Sequence, residues 1–305
     1  MNQVMPPLAP ARFPVSAYEW PQGKSGAFCF SVDVDAESPY QWSLATDAPQ
    51  TLGQIEQRLF GPRIGIWRIL DLLDRYGIKA TMFVPGLVAR NHPELLPAFV
   101  ARGHEVGLHG YFHELATEAG PEEFARALDE SLALFKSQAG IVPKGFRSPA
   151  WEMTPFMLAE VKRRGLYDSS LMGFDHPYTI DGVTQVPVLW AVDDAIYFRF
   201  TGSPTDRAPP SPQGGILEAW LDEWHVLHRE GRMMMLTIHD WISGRAGRVR
   251  MLEKLLDVIT TSPGTWIATV GELAAHHAAS DNAARFSVSM RLPEASAPHR
   301  FKAPR

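Results

Sequence analysis

AFCFSVDVD, residues 27–35, is the stretch on which the fold turns. Apolar residues run from Ala27 to Phe30, then valines alternate with Asp33 and Asp35. The reading is a buried strand that ends in carboxylates. A strand this apolar is covered on both faces, the situation of a parallel sheet packed under helices. The flanking sequence keeps that logic. IGIWRILDLLDRYG (64–77) has apolar spacing near 3.6 and stops at a glycine, so it is a helix. KATMFVP (79–85) is a strand, NHPELLPAFVARG (91–103) a helix, HEVGLHG (104–110) a strand and 121–140 an amphipathic helix.

The alternation continues to the end of the chain. GFRSPAW (145–151) is a strand running into a turn, 154–165 a helix, and LYDSS (166–170) a short strand. TQVPVLWAV (184–192) and RMMMLTIHD (232–240) are strands on either side of a helix in 212–231. Helices 248–261 and 270–280 flank the short strand TWIAT (265–269). About seven strand–helix units in ~250 residues predict an α/β fold, a distorted (β/α)7-type barrel in a single domain. Its bounds are 26–280, after a Pro-rich arm (1–25) and before an extended tail (281–305). Residues 36–63, with Pro39, Tyr40, Trp42 and Gly53, read as a functional loop or as an unrecognised short helix.

Composition excludes several classes. A net charge of −5 gives no general attraction to nucleic acid or anionic membrane. The single cysteine, Cys29, excludes an intrachain disulfide framework and any multi-thiolate metal site, and its apolar setting reads as a buried, inert thiol. No apolar stretch reaches the ~18 residues of a membrane span. The N-terminal residues lack the apolar core of an export signal, so the expectation is a cytoplasmic protein.

In a βα barrel, chemistry sits at the C-terminal ends of the strands. There this chain places Asp33 and Asp35, His109 with His113 four residues on, Arg147 and Trp151, Asp168, and His239. Each is weak alone; with 11 histidines, chance supplies about 0.4 pairs at this spacing. A strand-end carboxylate is often only a helix cap. Several acids and histidines at the ends of separate strands make the stronger reading. Asp35, His109 and His113 form a two-His, one-Asp set suited to Zn²⁺ or a similar divalent ion. Asp33, two residues away on the same strand face, is then the general base. His239 is the acid that protonates a leaving nitrogen. Arg147 keeps Asp33 ionised and oriented, and Asp168 raises the pKa of His239. His104, His225, His228, His276 and His277 read as surface residues, and Met233–Met235 as a buried strand.

FSVDVDAE, HEVGLHGYFH, GFRSPAW, YDSS and LTIHD together resemble the five ordered motifs of the polysaccharide deacetylase (NodB-homology, carbohydrate esterase family four) superfamily, over about residues 27–275. The resemblance implies one divalent metal, usually zinc but also cobalt, nickel or manganese, and amide hydrolysis. It implies the same roles for Asp35, His109, His113, Asp33, His239, Arg147 and Asp168. Three features depart from the usual pattern: Asp-Val-Asp-Ala-Glu instead of adjacent aspartates before glycine, Gly110 where Ser or Thr is usual, and Leu171 where a bulkier residue is usual. These are similar to a branch with Helicobacter-type peptidoglycan deacetylase homologues and cyclic imide hydrolases, whose members tend to be homotetramers. The expectation is ring opening of a small cyclic imide or related cyclic amide, with Trp151, Tyr40, Trp42 and Glu37 binding substrate. The alternatives are a deacetylase of N-acetylated sugar or peptidoglycan fragments, a metal-independent allantoinase-like ureide hydrolase, and a non-catalytic binding barrel.

Overall fold

The computed structural model describes residues 16–43, 52–202, 206 and 208–290. Ten strands form one sheet: β1 Gly26–Asp33, β2 Thr81–Val84, β3 Glu105–Leu108, β4 Gly145–Phe146, β5 Tyr167–Asp168, β6 Tyr178–Ile180, β7 Val183–Gln185, β8 Met233–His239, β9 Thr265–Ile267 and β10 Ser287–Val288. Strands β8, β1, β2, β3, β4, β5 and β7 are neighbours in that order, all parallel. Beyond β7 the chain crosses to β8, where a parallel bridge pairs Asp193 with Thr237. That bridge closes a seven-membered ring, the distorted α/β barrel expected. β6 pairs antiparallel with β7 and carries β10 at its outer side, while β9 pairs with the start of β1.

Strand alternation sorts the core into two layers. Phe28, Phe30 and Val32 of β1, Met82 and Val84 of β2, and Met234, Leu236 and Ile238 of β8 face the helices. They pack there with Ile69, Leu72 and Leu73 of helix Ile66–Tyr76 and with Trp220 and Trp224 of helix Gln213–Arg229. Residues of the other parity, Ala27, Cys29, Phe83, Met233 and Met235, share the barrel interior with Trp151, Tyr167, Val186 and Val188. Cys29 is buried and its thiol pKa is pushed up by burial, as an inert thiol requires. Register continues the inward parity upward: Ser31 pairs with Thr237 and Asp33 with His239. Period-two geometry therefore delivers both polar residues to the inside of the same rim.

Several elements differ from the sequence reading. Within 36–63 the short-helix alternative holds, since Ser38–Ser43 and Leu52–Phe60 are helices and Gly61–Gly65 is a turn of π-helix leading into Ile66–Tyr76; residues 44–51 lie outside the described residues. The helix expected over 91–103 is confined to Leu95–Ala101, and a separate helix, Gly86–Asn91, precedes it and ends at His92. Of the expected strand 184–192 only the first two residues, at the end of β7, lie in a named strand, and the tail begins with a short helix, Asn282–Arg285, and β10. In the arm, Tyr18 and Trp20 pack under the barrel, Trp20 donating its indole N–H to Gly231 O at 2.8 Å; residues 1–15 and 291–305 lie outside the described residues. His104 and His277 are buried rather than on the surface. His277 is held between Tyr18 and Thr179, and His104 Nδ1 accepts the Ala80 backbone N–H. Among the described residues no helix is long and apolar enough to cross a membrane.

Candidate active site

Asp35, His109 and His113 come together at the rim. His109 Nε2 lies 3.4 Å from Asp35 Oδ1 and His113 Nε2 3.6 Å from Asp35 Oδ2. The three can each present one ligand atom within 4.8 Å of the others. Asp35 Oδ1 is buried and has no hydrogen-bond partner, which is costly unless a cation completes it. His109 donates its Nδ1–H to Arg147 O at 2.8 Å, which leaves Nε2 as the free lone pair facing Asp35. Burial brings the His113 imidazole down to about 4 and keeps it neutral, the form a metal ligand needs. At His109 burial is outweighed by Asp33 and Asp35, which raise its pKa; a divalent cation competes for that same site. The residues fit a small divalent ion with two imidazoles and one carboxylate.

Asp33 sits beside this set, 4.0 Å from His109 Nε2, and is fully enclosed. Its Oδ1 accepts from Arg147 Nη1 at 2.7 Å; its Oδ2 is approached by the Trp151 indole N–H at 3.4 Å. Burial alone would push this carboxyl up, but Arg147, His109 and His239 outweigh it and hold the pKa below the usual value. Arg147 is itself held from several sides. It donates to Ser31 Oγ at 2.8 Å and to Ser169 O and Oγ at 2.9 and 3.0 Å. Its guanidinium stacks 4.1 Å from the Phe83 ring.

His239 Nε2 lies 3.7 Å from Asp35 Oδ2, on the strand next to the one that carries Asp33. Its Nδ1 pairs with Asp194 Oδ1 at 2.6 Å, while Asp194 Oδ2 accepts the His239 backbone N–H at 3.0 Å and the Ser243 hydroxyl. Burial would lower the imidazole pKa, but Asp194 reverses this and raises it well above the usual value. The partner is not the expected Asp168. Asp168 instead accepts from Ser170 Oγ at 2.7 Å and from Ser170 N at 3.0 Å, and its carboxyl is raised by burial to about 6. Asp193 and Asp194 stand where the chain joins β8, and their signal was present in the sequence as paired acids closing the segment TQVPVLWAV.

A cavity of about 640 Å³ opens above these groups, within the range of small-molecule sites. Trp151 lines it, with Trp190 packed 4.2 Å away, and so do Arg58, Tyr197, Arg199 and Trp241. Of these only Trp151 was anticipated. Tyr40, Trp42 and Glu37 do not line it. Trp42 donates to Glu118 at 2.7 Å and stacks on Phe112. Tyr40 is buried. Glu37 is buried in a bond network with Asn91 and His92. The aromatic and acidic residues after β1 thus build the helical flank rather than the substrate wall.

Positive backbone φ angles concentrate at this rim. Ala36 (43°), His113 (62°), Ala150 (53°) and Trp151 (56°) each adjoin or form the site, whereas the fifth non-glycine case, Asp181, is in the β6–β7 turn. Such conformations cost of order 1–3 kcal/mol each and persist only where surrounding contacts impose them. Gly110 (70°) lies in the same loop as His113, and a Cβ there would stand 2.7 Å from Glu114 Oε1. That carboxylate receives the Tyr111 and Phe112 backbone N–H groups and folds the loop that carries both histidines. The departure at Gly110 is therefore a requirement of this loop.

The sequence pattern of the family described as "Polysaccharide deacetylase" matches residues 60–168. The chain is 31% identical to the peptidoglycan deacetylase of Helicobacter pylori, over 80% of this chain and 94% of that one. It superposes on a crystal structure from Mycobacterium smegmatis, assigned as a polysaccharide deacetylase, with a TM-score of 0.83 and 31% identity, covering 92% of this chain and 98% of that one. The Puue allantoinase structure has a TM-score of 0.75 at 22% identity, over 85% and 93% of the two chains, and shares the fold. These likenesses favour acetyl removal over the ring opening expected first. The chain belongs to the polysaccharide deacetylase family, hydrolases of carbon–nitrogen bonds.

Proposed function

We propose that this protein is a metal-dependent deacetylase that removes the acetyl group from N-acetylated amino sugars or peptidoglycan fragments. One observation carries the reading: a buried two-His, one-Asp set with an orphaned carboxylate oxygen, flanked by a carboxylate held ionised on one side and an imidazole held protonated on the other. Asp35, His109 and His113 would hold a divalent ion, which when bound would supply Lewis acidity toward the acetyl carbonyl and toward water. Asp33 takes the proton of the attacking water on Oδ2, because Arg147 occupies Oδ1. His239 gives its Nε2 proton to the departing amine, and Asp194 stabilises the imidazolium before transfer and orients the ring afterwards. Trp151 holds the base in place and walls the cavity.

Hydrolysis of a cyclic imide would use the same groups, with the leaving nitrogen tethered to the acyl carbon. The direct test is acetate release from chitooligosaccharides by purified protein, before and after chelation, run beside ring opening of succinimide and hydantoin. Chelator-sensitive acetate release is expected. Ring opening without acetate release would overturn the deacetylase reading and leave the amide chemistry, and chelator-resistant turnover would remove the metal from it.

A further inference from the structure

Arg58 stands on the cavity wall on helix Leu52–Phe60, and no role in hydrolysis falls to it. Its guanidinium carbon lies over the Trp241 indole, 4.4 Å from the ring centroid. Among the described residues it makes no hydrogen bond or ion pair, although it is enclosed enough for desolvation to lower its pKa. An enclosed, stacked cation with all five N–H donors free is an arrangement that recognises planar anions in pairs of parallel hydrogen bonds. Arg199 lines the same cavity, also without an ion-pair partner. Of the nearby acids, Asp33 is matched by Arg147, Asp35 belongs to the ligand set and Asp194 is matched by His239, while Asp193 and Asp206 line the cavity and Asp240 acts on Arg58 at longer range. Among the described residues no ion pair joins either arginine to any of these acids, so the guanidinium of Arg58 keeps its donors for a ligand.

We propose that Arg58, with Arg199 behind it, is a specificity site for a carboxylate on the substrate, so that the preferred amide is an acidic N-acetylated sugar rather than a neutral one. The inference rests on the deacetylase reading and sharpens it. Stacking on Trp241 fixes the plane of the guanidinium, so little freedom remains to be lost when a carboxylate docks. The exposed edges of the fork point to the cavity, since burial without partners would otherwise leave them orphaned.

The experiment compares N-acetylglucosamine with N-acetylmuramic acid, which differ by one lactyl carboxylate, in acetate release and in calorimetric binding. Wild-type protein is expected to favour the acid at least tenfold in kcat/KM. Arg58→Gln should abolish that preference while leaving turnover of the neutral sugar within a few-fold, and Arg58→Lys should restore part of it. Raising salt should weaken binding of the acidic sugar only. Equal turnover of both sugars by the wild type, or an unchanged ratio in a folded Arg58→Gln protein, would overturn the site while deacetylation stands. Carboxylate-selective binding lost in Arg58→Gln, with acetate released from neither sugar, would support the site and overturn the deacetylase reading. Thermal melting of each variant separates loss of recognition from loss of fold.

Discussion

At the scale of single residues, the two proton-handling groups are set by partners of opposite charge, and those partners are testable. Arg147→Met leaves Asp33 buried without its cation. Breaking a buried pair from one side costs about 3–5 kcal/mol, so the variant should melt at lower temperature as well as lose hydrolysis. Substitution of the acid's partner distinguishes two assignments. Asp194→Asn should reduce kcat by roughly 10²–10⁴-fold, by removing the charge that keeps His239 protonated, and should move the alkaline limb of the rate profile to lower pH. Asp168→Asn, which disturbs bonds to Ser170 and none to His239, should leave that limb in place. Rates across pH for the two variants decide between them; a shifted limb in Asp168→Asn would restore the motif-based assignment. The histidines, Asp33, Asp35 and Arg147 were readable because strand parity and strand ends place them together. Asp194 was not, because its segment makes one bridge to β8 instead of a regular strand, so alternation gave no register.

At the scale of elements, the loop between β3 and helix Pro121–Ala139 is the delicate piece, since it carries both candidate metal ligands from the histidine pair. Gly110→Ser introduces a side chain at φ 70° and against Glu114, and should destabilise by about 1–3 kcal/mol. Because the loop aims His113, divalent-ion affinity measured by calorimetry should fall with it. Unchanged affinity in the serine variant would show that the loop tolerates the family's commoner residue. The helix Leu52–Phe60 marks where pattern reading ran out, whereas the helix that follows it was read over 64–77. The former is polar on most faces and follows a Pro-rich segment, so composition resembled a loop, although Arg58 projects from it into the cavity. Tyr40 and Trp42 stand out chemically but are used in packing. Composition does not distinguish an aromatic that walls a site from one that pins a helix.

For the whole molecule, ion binding and pH act on stability through groups far apart. An ion that binds only the folded chain adds about 4 kcal/mol at a thousand times its dissociation constant. Chelation should therefore lower the melting temperature as well as stop turnover, as scanning calorimetry would show. His104 and His277 are buried far from the rim, with burial depressing each pKa to about 4. The unfolded chain binds these protons near 6.5, so between 6.5 and 4 it holds more protons than the folded one. Their contribution to stability is fully present above 6.5 and is lost as pH falls toward 4. His277→Gln should flatten the melting temperature's dependence on pH in that interval. A slope as steep as wild type would place the acid sensitivity elsewhere.

The bridge between Asp193 and Thr237 has one more consequence. It is where the cylinder is sewn shut, and the next residue, Asp194, is the one that tunes the acid. This seam, held by one bridge and the bonds of the Asp194 carboxylate, is shorter than the β1–β8 seam and should open first on heating. Each such opening carries Asp194 away from His239 while the rest of the molecule stays folded. Heated protein should then fall silent several degrees before its circular dichroism changes, and recover at once on cooling, so that the enzyme's upper working temperature is set by a stitch in its wall.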